Sequence, residues 1–310
     1  MRPGENAYFT FQGKTAIIDR RKKEVAPMKR WLSNLLIVIF VCIFLVSGFF
    51  LVRYWLDSRK QTSQFDDLAQ LMEQDRLTPP QSAPTAPANP DAPDQELPPD
   101  TLTSELVTVI DPKTGDAIQL LPEYVHLYAL NPDLVGWITI EDTNINYPVL
   151  QTPDRTDYYL YRDFYGKDSS HGCIYVREVC DVEHSDNVVI YGHRMKDGSM
   201  FNNLLHYEDR DYYEAHKYIQ FHTLTQRRTY EILAVFKTVA TASGFNYHLF
   251  VDAADAQDFD RFVADVKALS LYDTGLTAEF GDKLITLTTC EYSRDNGRLV
   301  VVAKQIDNGQ

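Results

Sequence analysis

Cysteine is scarce in this chain: there are four among 310 residues, and none is spaced C-x-x-C. That spacing is the usual mark of a structural zinc site, and His216 and His222 sit in no ligand pattern that would replace it. Neither a metal nor a cofactor is expected. Positive charge is also short. With 30 Lys and Arg against 44 Asp and Glu, the formal net charge is −14. So acidic a chain has no electrostatic footprint for nucleic acid. No internal repeat is visible.

The basic residues that cluster do so near the front: Arg20, Arg21, Lys22, Lys23, Lys29 and Arg30. Behind them, Leu35 to Val52 is almost wholly apolar, with Trp31, Tyr54 and Trp55 at its rims. About eighteen to twenty such residues cross the hydrocarbon core as a helix. Tryptophan and tyrosine favour the interfaces, and a basic flank stays in the cytoplasm. Everything after Arg53 is therefore expected outside the cell membrane. After the apolar run, Val46-Ser47-Gly48 is only a weak cleavage site. The segment reads as an uncleaved single-pass signal anchor rather than a removed signal peptide. A start at Met28 would yield the same anchor.

The chain then divides into a cytoplasmic basic N-terminus (1–30), a transmembrane anchor (31–55), an extracytoplasmic stalk and Pro-rich linker (56–101) and a folded domain (102–310). The stalk holds a short helical pattern, Phe65 to about Leu77. Thr78 to Asp100 is rich in Pro, Ala, Asp and Gln, which makes an extended spacer rather than a core. The remaining roughly two hundred residues suffice for one globular core.

Within the domain, Leu121 to Leu130 reads as a helix stopped by Asn131-Pro132. From Trp137 the apolar period becomes that of strands. Strands are expected near Trp137–Ile140, Ile145–Leu150, Gly172–Val176, Val188–Tyr191, Tyr218–Thr223, Thr229–Thr238, Leu284–Thr289 and Leu299–Gln305. One helix interrupts them, about Asp255 to Ser270, where Phe259, Phe262, Val263 and Val266 recur at helical spacing. The fold class is mainly β, a closed barrel or sandwich.

Of the cysteines, Cys42 lies in the apolar segment. Cys173 and Cys180 are near enough in sequence to pair in an oxidising compartment, their geometry being open. Cys290 is then left over. A lone cysteine is ordinarily a small buried hydrophobe, but an odd one outside the cell also marks a reactive thiol. Its surroundings favour the second reading. In Lys283 to Cys290 the side chains of Thr286, Thr288 and Cys290 share one face. The return strand opens at Arg298, after the turn former Asp295-Asn296-Gly297. Paired antiparallel, Cys290 and Arg298 would stand about 5 Å apart at the hairpin mouth. An arginine there lowers a thiol pKa or holds an oxyanion. Taken alone, Arg298 would be a surface residue beside a turn. His193 follows the strand Val188 to Tyr191 and the breaker Gly192, at a strand end where catalytic groups sit. Cysteine chemistry needs such an acid/base, although this chain has 8 histidines.

A second motif, Ser170-His171-Gly172-Cys173, imitates the active-site segment of L,D-transpeptidases. The rest of that pattern, an upstream His-Gly element and an Asn or Arg soon after the cysteine, is only partly imitated by Arg177, and Gly172 to Val176 reads as a strand start.

Four segments together resemble a class B sortase: NPDLVGWITIEDTNINYPVLQ (131–151), YYLYRDFYGKDSSHGCIYV (158–176), NVVIYGHRMKDGSMFNNL (187–204) and TLTTCEYSRDNGRLVVVAK (286–304). They cover the domain from about Leu121 to Lys304. The TLTTC run with arginine eight residues on, and the upstream YGH, are the specific marks. Cys173, where the family more often carries a small residue, is a departure. The resemblance implies an eight-stranded closed sortase-type β-barrel with N-terminal helices and an extra helix between its sixth and seventh strands. It implies a membrane-anchored cysteine transpeptidase that cleaves the C-terminal sorting signal of secreted proteins after threonine. The acyl group would pass through a thioester to an amine of peptidoglycan or its lipid-linked precursor. By the same resemblance Cys290 is the nucleophile, His193 the acid/base and Arg298 the carbonyl or oxyanion holder. Thr289 and the Glu291 N–H are further donors, Thr288 lines the peptide groove, and the region before Tyr272 helps choose the motif.

Overall fold

The computed structural model describes residues 30–78 and 106–306. The expected spacer and most of the basic N-terminus lie outside the described residues.

Helix α1 runs from Arg30 to Leu77. Its front part contains an 18-residue window of mean hydropathy 3.2 whose residues are not buried. This is long and apolar enough to cross a membrane. The chain divides into two compact units, Met1–Arg53 and Tyr54–Gln310. The second unit begins much earlier than the boundary near Leu102 read from sequence. The reason is in the helical part of the expected stalk: Phe65 and Leu68 are buried in the main core, and Phe65 meets Tyr147 edge-on at 5.1 Å between ring centroids. An apolar stripe on a helix that has a core to join does not remain a stalk.

A two-stranded hairpin, β1 (Val107–Ile110) and β2 (Ala117–Leu120), precedes the barrel. The sequence reading passed over it. Its signal was the turn: the Asp111 carboxylate accepts from the Lys113 N–H at 2.8 Å, and Gly115 takes φ +80, as Asx-type turns and glycine allow. A 3-10 turn and helix α2 (Val125–Leu130) follow, filling the helix expected over 121–130.

Eight strands then close into a barrel: β3 (Leu134–Thr139), β4 (Asn146–Leu150), β5 (Ile174–Val176), β6 (Asn187–Tyr191), β7 (Tyr218–Thr223), β8 (Thr229–Val239), β9 (Leu284–Cys290) and β10 (Gly297–Ile306). Their order is β10-β8-β7-β3-β4-β5-β6-β9. Closure removes the sheet edges. The pairs β4–β5 and β6–β9 are parallel. Parallel neighbours need long crossovers. The one from β6 to β9 includes β7, β8 and helix α4 (Ala256–Leu269), and the short helix α3 (Arg210–Ala215) lies between β6 and β7.

Helix α4 stands between the sixth and seventh barrel strands. Asp255 caps it, accepting from the Asp258 N–H at 2.9 Å. Its buried face is Phe259, Phe262, Val263 and Val266, the stripe read from the sequence. Phe250 stacks on Phe262 at 4.0 Å between centroids. Within the barrel, β9 is buried on both faces as far as Thr289. Two of its three threonines are matched there: Thr286 donates to Asn187 at 2.8 Å, and Thr288 pairs with the Tyr247 hydroxyl at 2.8 Å. Unmatched, such groups would cost about 1–3 kcal/mol each.

The cysteines are all unbridged. Cys173 and Cys180 are buried, and burial pushes the Cys180 thiol up to about 11 and Cys173 well above its usual range.

Candidate active site

The parallel pairing of β6 on β9 runs through Tyr191↔Thr288, so the residues just beyond both strand ends emerge at one end of the barrel. Beyond β6 comes Gly192, where a Cβ would collide with the Phe201 ring at 2.6 Å. His193 follows. At the end of β9 is Cys290, partly exposed. Antiparallel pairing of β9 with β10 sets Arg298 directly across from Cys290. Asn296, at φ +56, makes the intervening turn.

Leu160, Tyr161, His193, Thr288, Cys290 and Arg298 all line one open cleft of about 370 Å³. His193, about a hundred positions upstream of Cys290 and Arg298, thus shares a cavity with them. Arg298 donates to the Gly297 carbonyl at 3.0 Å. His193 Nε2 lies 2.7 Å from the Leu160 carbonyl oxygen, so this nitrogen carries the proton whichever charge state the ring is in. The Tyr161 ring sits 5.5 Å from the imidazole, centroid to centroid. Burial lowers the His193 pKa, the Leu160 carbonyl opposes that, and His171 adds to the lowering.

The secondary candidates separate. Thr288 lines the cleft and is held by Tyr247, whose hydroxyl is pushed up by burial despite the Thr288 bond. Thr289 also lines it, and its buried hydroxyl has no hydrogen-bond partner among the described residues. Glu291 does not line it. Its N–H donates to the Gly297 carbonyl at 2.9 Å, so that donor is already engaged. Its carboxylate accepts from the Ser293 N–H and Oγ at 2.8 and 2.6 Å. Burial raises the Glu291 pKa, but Ser293, Lys237 and Arg194 outweigh it. Tyr272 is a packing residue here: it donates to the Tyr207 carbonyl at 2.8 Å and leans on Tyr213. The structure does not bring it to the cleft.

The sequence reading missed Tyr247, Leu160 and Tyr161. Tyr161 and Leu160 belong to a 3-10 turn (Tyr158–Tyr161), and Tyr247 opens another (Tyr247–Leu249). Neither turn has the periodicity that would mark it. The imitation motif resolves as packing. His171 is almost fully buried, and a Cβ on Gly172, which has φ +59, would lie 2.4 Å from the Leu160 oxygen. Cys173 is buried beneath it. No group of side chains suited to a metal ion occurs among the described residues.

The family model for the sortase domain matches residues 138–306. Sortase B of Listeria monocytogenes is 36% identical over 183 residues, covering 58% of this chain and 72% of its own. Sortase B of Staphylococcus aureus is 33% identical over 190 residues, covering 60% and 75%. A crystal structure of sortase B from B. anthracis superposes with a TM-score of 0.61 at 27% identity, over 82% of this chain and all of that one.

Proposed function

The chain belongs to the class B sortases, and from that premise we propose that it is a membrane-anchored transpeptidase working through Cys290, His193 and Arg298. Its general activity is that of the family, cell-wall transpeptidation. The observation that carries the residue assignment is the Cys290–Arg298 register at a cleft that His193 also lines.

The Cys290 thiolate attacks the carbonyl of a threonine in a C-terminal sorting signal. A C–S bond forms as the peptide C–N bond breaks, leaving a thioester. Protonated His193 gives its proton to the departing amine. In the second half, neutral His193 takes a proton from an incoming amine of peptidoglycan or its lipid-linked precursor. That nitrogen displaces the thiolate and forms an amide. Arg298 presents N–H donors to the oxygen that gains charge in both steps, where fixed donors are worth most. Thr288 and Thr289 line the peptide's path.

The apolar front of α1 serves as the anchor, with the preceding basic residues cytoplasmic and the barrel outside. Tethering raises the enzyme's effective concentration toward substrates at the same membrane face.

The test is a panel of quenched peptides carrying candidate sorting motifs, with and without a wall-type amine, followed by mass spectrometry. A Cys290-linked acyl adduct and amine-dependent ligation are expected. Cleavage by water alone, with no ligation on any amine, would overturn transfer in favour of hydrolysis. Turnover without an adduct would overturn the thioester.

A further inference from the structure

The rear part of α1 grips the barrel at two points, and both lead to His193. The first is Ser58, whose Oγ donates to Asp197. Asp197 stands four residues after His193 in a tight loop. That loop is closed at its base by the Phe201 N–H donating to the His193 carbonyl at 2.9 Å. It is pinned within by Ser199, whose N–H and Oγ donate to Asp197 at 3.0 and 2.6 Å. The second grip is Gln61. It accepts from Ser169 Oγ at 3.1 Å and donates to the Gly172 carbonyl at 3.5 Å. Gly172 lies against the Leu160 oxygen, and the next residue, Cys173, donates its N–H to the Tyr159 carbonyl at 3.0 Å. The Leu160 oxygen is the acceptor of His193 Nε2.

One buried residue joins the two grips. His171 Nε2 meets Asp197 at 2.9 Å, and its Nδ1 meets Ser170 Oγ at 3.2 Å. The Tyr54 ring of α1 stacks on its imidazole at 6.2 Å between centroids. Burial raises the Asp197 pKa, yet Ser199, Ser58 and His171 together hold its carboxyl far below the usual range. The carboxylate is therefore ionised at any pH where the enzyme works. A buried imidazole, an ionised carboxylate and two helix side chains form a connected network. Nothing in the proton transfer itself uses it.

We propose that Ser58 and Gln61 of α1, with His171 and Asp197, are positioning residues that hold the His193 loop and the Leu160 carbonyl in register. The inference rests on the reading of His193 as the proton-transferring group. Through this clasp, the helix that carries the apolar anchor also sets the orientation of the acid/base. If the clasp is released, the His193 ring loses its fixed acceptor geometry and gains water. Rotational freedom of this kind lowers turnover more than binding, because only the aligned ring transfers the proton.

The groups that titrate around His193 define the readout. Asp157, Tyr161, His248, Cys290 and Arg298 share its cleft, and His171 opposes its protonation. None of the first five is altered by the test.

The experiment uses the full chain in detergent, with the paired variant Ser58→Ala/Gln61→Ala and the single variants Ser58→Ala, Gln61→Ala and Ser58→Thr. The His193 imidazole is followed by NMR as pH is varied, beside the pH profile of turnover. In the paired variant the His193 midpoint should rise toward 6.5, its ordinary value, with His171 and its direct effect on the ring left in place. The kcat should fall about tenfold or more, with KM held within about twofold. Ser58→Thr keeps the hydroxyl and should behave as the unaltered chain. An unchanged His193 titration in the folded variants overturns the proposal, whatever the activity does. A shifted titration with unaltered turnover supports the clasp and instead overturns the role of His193 in proton transfer. Should the paired variant unfold, Ser58→Ala and Gln61→Ala each open one grip and carry the same expectation in smaller measure.

Discussion

Cys290 and Arg298 occupy directly opposed positions on β9 and β10. The pair is a product of register. A slip of one residue would turn one of the two to the other face of the sheet. Seven consecutive pairings, down to Lys304↔Leu284, maintain that register.

The planar fork of Arg298 should not be replaceable by a point charge. Arg298→Lys is expected to lower kcat/KM by about a hundredfold or more, in steady-state assays on a cleaved peptide. The fold should be unaffected, because the side chain lies at the barrel mouth.

Cys290 should be the reactive thiol of the compact unit. In a chain begun at Tyr54, alkylation under native conditions should place one adduct, on Cys290, since Cys173 and Cys180 are buried. Cys290→Ala should abolish both adduct and turnover and move stability by no more than about 1 kcal/mol. Intact-mass measurement and thermal melting check both. Substantial turnover by that variant would sink the nucleophile assignment.

The rear of α1 belongs to the folded unit, so where the chain is cut matters. Phe65→Ala should destabilise by about 3–5 kcal/mol, the usual range for truncating a buried phenylalanine. A chain begun at Leu102 should melt below one begun at Tyr54. Chemical denaturation of the three proteins tests this, and equal midpoints would mean the helix adds nothing to the barrel.

Burial lowers the pKa values of His193, His222 and His248 below the ordinary 6.5. The folded state therefore binds fewer protons than the unfolded one in the window beneath that value. Stability should be fully present above it and decline as pH falls through it. His222 shows why: its Nδ1 accepts from the Arg228 N–H at 3.1 Å, and a protonated ring has no acceptor to offer. Melting should occur at lower temperature near about pH 5.5 than near about pH 7.5. His222→Gln should narrow the difference. A flat profile would mean these rings titrate normally.

The Tyr247–Thr288 hydroxyl pair is buried at the cleft. Tyr247→Phe leaves Thr288 Oγ1 without that partner and should cost about 1–3 kcal/mol. Adding Thr288→Val should recover part of the loss, as a double-mutant cycle would measure.

Much of this molecule follows from local pattern. Strand-length apolar runs, some alternating and some continuous, bounded by turn residues, located all eight barrel strands to within a few residues. The helical stripe of Phe259, Phe262, Val263 and Val266 located α4 in the same way. The apolar run from Leu35 announced itself by length. Cys290 and Arg298 could be paired on paper because a short hairpin converts sequence separation into register. Other features had no local signal. Tyr247 reaches Thr288, and Leu160 reaches His193, from turns that obey no period. Phe65 and Leu68 looked like part of a stalk because the core they join is formed by strands far along the chain. Tyr272 and the Glu291 N–H, credible in sequence, were taken up by other partners. The cleft that gathers His193, Cys290 and Arg298 exists only when β6 lies parallel to β9. That crossover depends on closing the barrel, a long-range event that no run of neighbouring residues encodes.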